Sequence, residues 1–122
     1  MLPKNNRLRQ KKDIDDVFRK GKGFKEDFLI LKTKKNNLDK LGFGFVVSQK
    51  VSKKASLRNK IKRRLREIVR KKLKNFKKGT DNLIITAPGA ETKDFREIEE
   101  TINKLFKKAN ILNNEKSHSE ID

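Results

Sequence analysis

The stretch LRNKIKRRLREIVRKKLK, residues 57–74, packs ten basic residues, one acid and a row of aliphatics into eighteen positions. At about 100° per residue, an α-helix gathers Leu57, Ile61, Leu65, Ile68, Val69 and Leu73 on one half of its circumference. Lys60, Arg63, Arg64, Arg66, Arg70, Lys71 and Lys74 fall on the other half, which makes the segment an amphipathic helix with an almost purely cationic outer face. Like charges at i and i+4 repel by a few tenths of a kcal/mol per pair, and only Glu67 relieves them. A chain that keeps such a helix needs a core for its aliphatic side and a polyanion for its cationic side. The polyanion is a nucleic acid or a lipid surface.

The rest of the sequence supplies the core. Leu, Ile, Val and Phe make up about 29% of the 122 residues, above the roughly 20% below which highly charged chains stay disordered. The length fits one domain, taken as residues 1–112, with a basic arm over about 1–10 and a disordered polar tail over 113–122. The formal net charge of +18 adds self-repulsion that a nucleic acid would neutralise. Cysteine is absent, which rules out a disulfide framework or a zinc finger and suits a reducing, cytoplasmic setting. The one histidine, His118, lies in the polar tail and reads as a solvated side chain, so no metal site is expected in the protein. No apolar run reaches the ~20 residues of a spanning helix, and the opening MLPKNNRLRQ lacks the apolar heart of a signal peptide.

Along the chain, KKDIDDVFRKG predicts a short helix with Ile14, Val17 and Phe18 inward and Gly21 at its end. Its acids Asp13, Asp15 and Asp16 complement the helix dipole more naturally than they suggest a metal-dependent nuclease. Strands are predicted over 28–32 and 41–47, the second with Leu41, Phe43, Phe45 and Val47 on one face and Gly42, Gly44, Val46 and Ser48 on the other. Glycine inside a strand marks a bulge, tight helix packing, or close approach of a backbone or ligand. Ser56 is the predicted N-cap of the basic helix. A strand over 82–87 follows, and then a helix with Phe95, Ile98, Ile102, Leu105 and Phe106 inward. The order helix, strands, helix, strand, helix is that of an α+β, two-layer α/β sandwich.

No nucleotide-binding glycine motif is present, and no cysteine or nearby histidine could activate a nucleophile, so catalysis by the protein alone is not expected. A cationic helix face makes phosphate contacts whose affinity falls steeply with salt. Asn59 beside Arg58 has the chemistry to read DNA base edges, but the helix lies between two strands without the partner helix of a helix-turn-helix. RNA, recognised largely by shape and backbone, needs no such geometry. A lipid-facing role would expose the aliphatic side that the flanking strands need. RNA is therefore the expected partner, with neither DNA nor membrane.

The run ASLRNKIKRRLRE, residues 55–67, resembles the signature of the bacterial ribonuclease P protein component; the matching positions are Arg58, Asn59, Lys60, Ile61, Lys62, Arg63 and Arg66. NRLRQKKDIDDVFRKG resembles that family's opening helix, GFVVS the strand before the signature, and DNLIITA the later strand, so the resemblance runs over about residues 6–108. It implies a sandwich with a left-handed crossover at the signature helix, of a kind shared with a ribosomal-protein domain. It also implies assembly with a large catalytic RNA that removes 5′ leaders from precursor tRNA. In such a complex the RNA performs the hydrolysis with magnesium that it mainly holds itself, and the protein aids leader and magnesium binding.

On this resemblance Arg58, Asn59, Lys60, Lys62, Arg63 and Arg66, with Lys50 and Lys54 ahead of them, would meet the catalytic RNA. Ile14, Phe18, Phe28, Leu29 and Leu31 would line the leader cleft between the first helix and the sheet. Ile14 and Leu31 stand where the family commonly has aromatics, which implies looser, sequence-tolerant contact. Ser52 and Lys53 stand where a glycine turn is common, and residues 86–89 lack a basic residue that is frequent there. The runner-up is a structural RNA-binding protein of the ribosomal kind.

Overall fold

A computed structural model describes residues 6–8, 10–36 and 39–111. His118, the tail over 113–122 and the first five residues of the basic arm lie outside them. The elements in chain order are α1 (Lys11–Lys20), β1 (Lys22–Glu26), β2 (Leu29–Lys35), β3 (Leu41–Val47), α2 (Ala55–Lys71), β4 (Thr80–Thr86) and α3 (Phe95–Ala109), with short 3-10 turns at Leu73–Asn75 and Ala90–Thr92.

The four strands form one sheet in the order β1-β2-β4-β3. β1 pairs with β2 and β2 with β4 antiparallel, whereas β3 and β4 are parallel neighbours. Parallel neighbours cannot be joined by a tight turn, so the basic helix α2 is the crossover between them. β1 did not stand out in the sequence. KGFKE has one apolar residue in five positions and becomes a strand only by pairing, through a two-residue turn in which Asp27 takes a φ of 55°.

Side chains on the two sheet faces have different neighbours. Leu29, Leu31, Leu41, Phe43, Val47 and Ile84 face α2 and α3, where Ile61, Leu65, Ile68, Val69, Ile98, Ile102, Leu105 and Phe106 close over them. This is the main core of the α+β sandwich. Phe76, just after α2, packs its ring 4.9 Å from Phe43 and 5.0 Å, edge-on, from Phe106, contacts worth about 0.5–1.5 kcal/mol each beyond burial. α3 is fixed at its start by a capping box: the Asp94 carboxylate accepts from Glu97 N at 2.9 Å, and Glu97 Oε1 accepts from Asp94 N at 3.0 Å.

α1 lies on the other face. Its only buried residue is Val17, while Leu83 of β4 is buried beneath that side and Asp16 pairs with Lys34 of β2 at 3.0 Å. α1 ends where the backbone turns extended at Gly21 (φ −72°, ψ 154°), a position at which a Cβ would meet Val17 O at 2.5 Å. The glycines of β3 belong to this face too. A Cβ on Gly42 would lie 2.9 Å from Leu8 Cδ2, and one on Gly44 would lie 3.1 Å from Leu83 Cδ1 and 3.4 Å from Leu8 Cβ. Asp81 Oδ1 would stand closer still to a Cβ on Gly42, at 2.8 Å, and the neighbour common to both glycines is the basic arm. Arg7 bridges to Phe43 in parallel, Leu8 N donates to Phe43 O at 2.8 Å, and Asn6 Nδ2 donates to Leu41 O at 2.8 Å. The arm covers part of an edge that would otherwise present unpaired backbone groups.

Candidate nucleic-acid interface

α2 begins at Ala55 with Lys54, not Ser56, in the capping position, and no side chain caps it. The loop before it is shaped by two serines instead. Ser48 Oγ accepts from Lys50 N at 3.2 Å, and Ser52 Oγ accepts from Lys54 N at 3.1 Å. These local bonds shape the turn without glycine and leave Lys50 and Lys54 exposed at the head of the helix.

The polar side chains of α2 differ in what they meet; Lys71, at its end, lies with Nζ 5.5 Å from the Phe95 ring centroid. Arg58 turns back toward the loop, its Nη1 donating to Ser52 O at 2.9 Å, and Arg64 turns to the opposite flank, its Nη1 donating to Lys93 O at 3.1 Å ahead of α3. Arg70 is neutralised by Glu67, with Nη2 2.6 Å from Oε2 and Nε 3.2 Å from Oε1. The Arg70 hydrogen bond holds the Glu67 carboxyl below its usual range, and Glu67 in turn raises the guanidinium. Asn59, Lys62, Arg63 and Arg66 fall in a sector of roughly 100° away from the α3 flank. Lys60 stands about 60° further round. None of these five has a hydrogen-bond or ion-pair partner among the described residues. The helix thus presents a short unpartnered flank that the Glu67–Arg70 pair closes. Arg58 differs from the other signature positions in serving the loop as well.

The predicted cleft is corrected by one residue of register. Leu29 and Leu31 are 0% exposed and, with buried Phe28, belong to the core beneath α2 and α3, so they cannot line a cleft beside α1. Alternation puts Ile30 and Lys32 on the α1 side instead. There Ile30, Ile85 and Val46 are register partners on β2, β4 and β3, forming a half-exposed apolar strip about 10 Å across three strands. Ile14 is half-buried on α1, and Phe18, expected to be inward, is 53% exposed. Lys32 Nζ lies 5.7 Å from the Phe18 ring centroid, so a cation and an aromatic face stand together beside the strip. Ile30, Lys32, Val46 and Ile85 were missed from sequence, although the bare Gly42, Gly44, Val46 face was the available signal.

The acids of α1 do not converge. Asp13 and Asp15 are exposed, and Asp16 meets Lys34 at 3.0 Å and Lys20 at 3.4 Å. The Lys34 hydrogen bond holds the Asp16 carboxyl below its ordinary range against the opposing effect of desolvation. Among the described residues no three acid, histidine or cysteine side chains come together to hold a metal, and no helix is long and apolar enough to cross a membrane.

An unpartnered guanidinium and ammonium flank on one helix, with an aromatic, apolar strip on the other side of the sheet, defines an α+β nucleic-acid-binding protein. The sequence model of the family described as Ribonuclease P matches residues 2–110, and the chain belongs to that family. It is 37% identical over 111 residues to the ribonuclease P protein component of Clostridium botulinum strain 657, covering 90% of this chain and 99% of that one. It is 35% identical over 113 residues to that of a Pseudanabaena species, covering 92% and 97%. Among solved structures, the Staphylococcus aureus RNase P protein at 2.0 Å superposes with a TM-score of 0.83 at 26% identity, over 90% of this chain and all of that one. The Thermotoga maritima protein in complex with 1-(4-fluorophenyl)-2-thiourea gives 0.73 at 33% identity, over 80% and 95%.

Proposed function

We propose that this chain is the protein subunit of ribonuclease P, an accessory to an RNA-catalysed endonuclease that hydrolytically removes the 5′ leader from precursor tRNA in the cytoplasm. The observation that carries the reading is the flank of Asn59, Lys62, Arg63 and Arg66, without partners among the described residues and held rigid by a core on the helix's other side. That flank, with Lys60, Lys50, Lys54 and the outer edge of Arg58, binds the backbone of the catalytic RNA. Phosphate contacts of this kind position one partner on another and carry little sequence information.

The leader of the precursor tRNA lies in the strip beside α1, over Ile30, Val46 and Ile85, with Phe18 and Ile14 at its wall. Lys32 meets a phosphate while a base rests on Phe18, a stacking contact worth about 1–3 kcal/mol. Because the rest of the strip is aliphatic, the contact tolerates any base. On this reading magnesium in the assembled enzyme is held mainly by RNA; what supports it is that the α1 carboxylates, among the described residues, do not converge and Asp16 is paired with lysines. The protein's contribution is to bring two RNA surfaces together and offset their repulsion.

The test is competitive binding of the full chain to a bacterial ribonuclease P RNA and to an unrelated structured RNA of equal length, at matched salt. The reading predicts a preference for the former that Arg63→Ala reduces. Equal affinity for both RNAs would leave only non-specific polyanion binding.

A further inference from the structure

The far end of the sheet carries a second cationic surface outside the signature. After α2 the buried Phe76 pins the chain against Phe43 and Phe106, and Lys77 and Lys78 emerge next to it at the surface. Gly79 N donates to Lys40 O at 2.7 Å, Asn36 N donates to Gly79 O at 2.9 Å, and Lys77 N donates to Ile111 O at 2.9 Å. Asn36 Nδ2 also reaches Asp81 Oδ1 at 3.0 Å. These bonds tie the end of β2, the start of β3 and the start of β4 into one knot. Lys35, Lys40, Lys74, Lys77 and Lys78 are exposed around it, and none has an ion-pair partner among the described residues. Carboxylates elsewhere neutralise neighbouring cations, as Asp16, Glu26 and Glu67 do. At this end Asp81 is engaged by Asn36, and Asp39, beside Lys40, has no ion-pair partner among the described residues, so two carboxylates stand among five lysines.

Lys35, Lys40, Lys77 and Lys78 lie outside every helix, so a helix dipole does not account for them. Fixed roots and uncompensated charge make a surface for a phosphate backbone. At about 1.5 Å per residue the end of α2, where the knot lies, is about 18 Å along the axis from Asn59 and about 8 Å from Arg66, so the knot continues past the signature flank. We infer that the knot is a second backbone site for the catalytic RNA, gripping a segment beyond the one that meets the signature flank. The inference rests on the subunit reading. Two sites joined by one rigid helix reinforce each other, because binding at one raises the effective concentration at the other.

The experiment measures the Kd of the full chain for ribonuclease P RNA and for an unrelated structured RNA of equal length across a salt series, and the precursor-tRNA affinity of the assembled enzyme, for wild type, Arg63→Ala, Lys77→Gln/Lys78→Gln and Lys35→Gln/Lys40→Gln. Each double variant is expected to weaken binding several-fold. It should also lower the slope of log Kd against log salt by roughly 0.7–0.9 per lost contact, with an unchanged melting temperature. The effects should add to that of Arg63→Ala. If Arg63→Ala weakens binding while both double variants bind like wild type, the knot is a solvated surface and the inference is overturned. A loss confined to precursor-tRNA affinity of the assembled enzyme would also overturn it, assigning the knot to the substrate. If wild type shows no preference for this RNA, the subunit reading itself fails and takes the inference with it.

Discussion

Arg58 and Arg63 look equivalent in the sequence, and the structure predicts that replacing each by alanine has different consequences. Arg58 donates a charge-assisted bond to Ser52 O at 2.9 Å from a half-buried position and so ties the head of α2 to the loop before it. Removing it costs about 1–2 kcal/mol of stability, since a bond from a charged donor is lost and a partly buried carbonyl is left without it. In a domain of this size that lowers the melting temperature by roughly 4–10 °C. Arg63 is exposed and has no partner among the described residues, so its removal changes stability by no more than about 0.5 kcal/mol. Both variants weaken assembly with the catalytic RNA, Arg63→Ala by about 1–3 kcal/mol for the charge-assisted contact it gives up, or roughly 5- to 150-fold. Thermal unfolding and RNA titration of the same preparations separate the two roles. Equal destabilisation by both substitutions, or an Arg58→Ala protein that melts with wild type, would refute the division of the helix into tied and free cations.

Phe18→Ala should cost about 1–2 kcal/mol of stability, because the ring is only 53% exposed and lies beside Lys32. It should also weaken binding of a leader-bearing precursor by about 1–3 kcal/mol relative to mature tRNA. Leu31→Ala should cost about 2–5 kcal/mol of stability from a fully buried site, without the leader-dependent loss. Denaturant titration beside leader-dependent binding checks both. Asp16 has a folded pKa below its ordinary 3.8, so its stabilising pair with Lys34 is fully present above that value and is lost as pH falls through the depressed one. The stability difference between wild type and Asp16→Asn should therefore shrink toward zero on acidification, and a difference constant from pH 6 to 2 would contradict it. Asp94→Ala removes half of the capping box of α3 and should cost about 1 kcal/mol in thermal unfolding.

The helices were legible because their apolar spacing has one solution. Ile61, Leu65, Ile68 and Val69 could only share a face, and they do. β1 was not legible, since its strand character comes from pairing with β2 and a turn at Asp27. The cleft failed for a different reason. FLIL is apolar on both faces of β2, so nothing local says whether Leu29 and Leu31 or Ile30 face α1, and a shift of one residue exchanges the whole set. Lys32, paired across the strand with Leu83 under α1, decides it, but that partner lies fifty-one positions away. The glycines of β3 announced a close neighbour without naming it, and only the fold shows that Leu8 of the arm, with Asp81 and Leu83 of β4, fills the space. In the basic helix, periodicity separated cationic from aliphatic sides. The Glu67–Arg70 pair, at i and i+3, follows from helical spacing, but that Arg58 and Arg64 are occupied depended on Ser52 O and Lys93 O, contacts that spacing does not encode.

The most direct test of the account is the rate of 5′ leader removal from a precursor tRNA by a bacterial ribonuclease P RNA at low magnesium, with and without the full-length protein. The account predicts clear stimulation, reduced by Arg63→Ala, and no cleavage by the protein alone. Tight RNA binding without stimulation would contradict it and leave a basic RNA-binding protein with no part in processing.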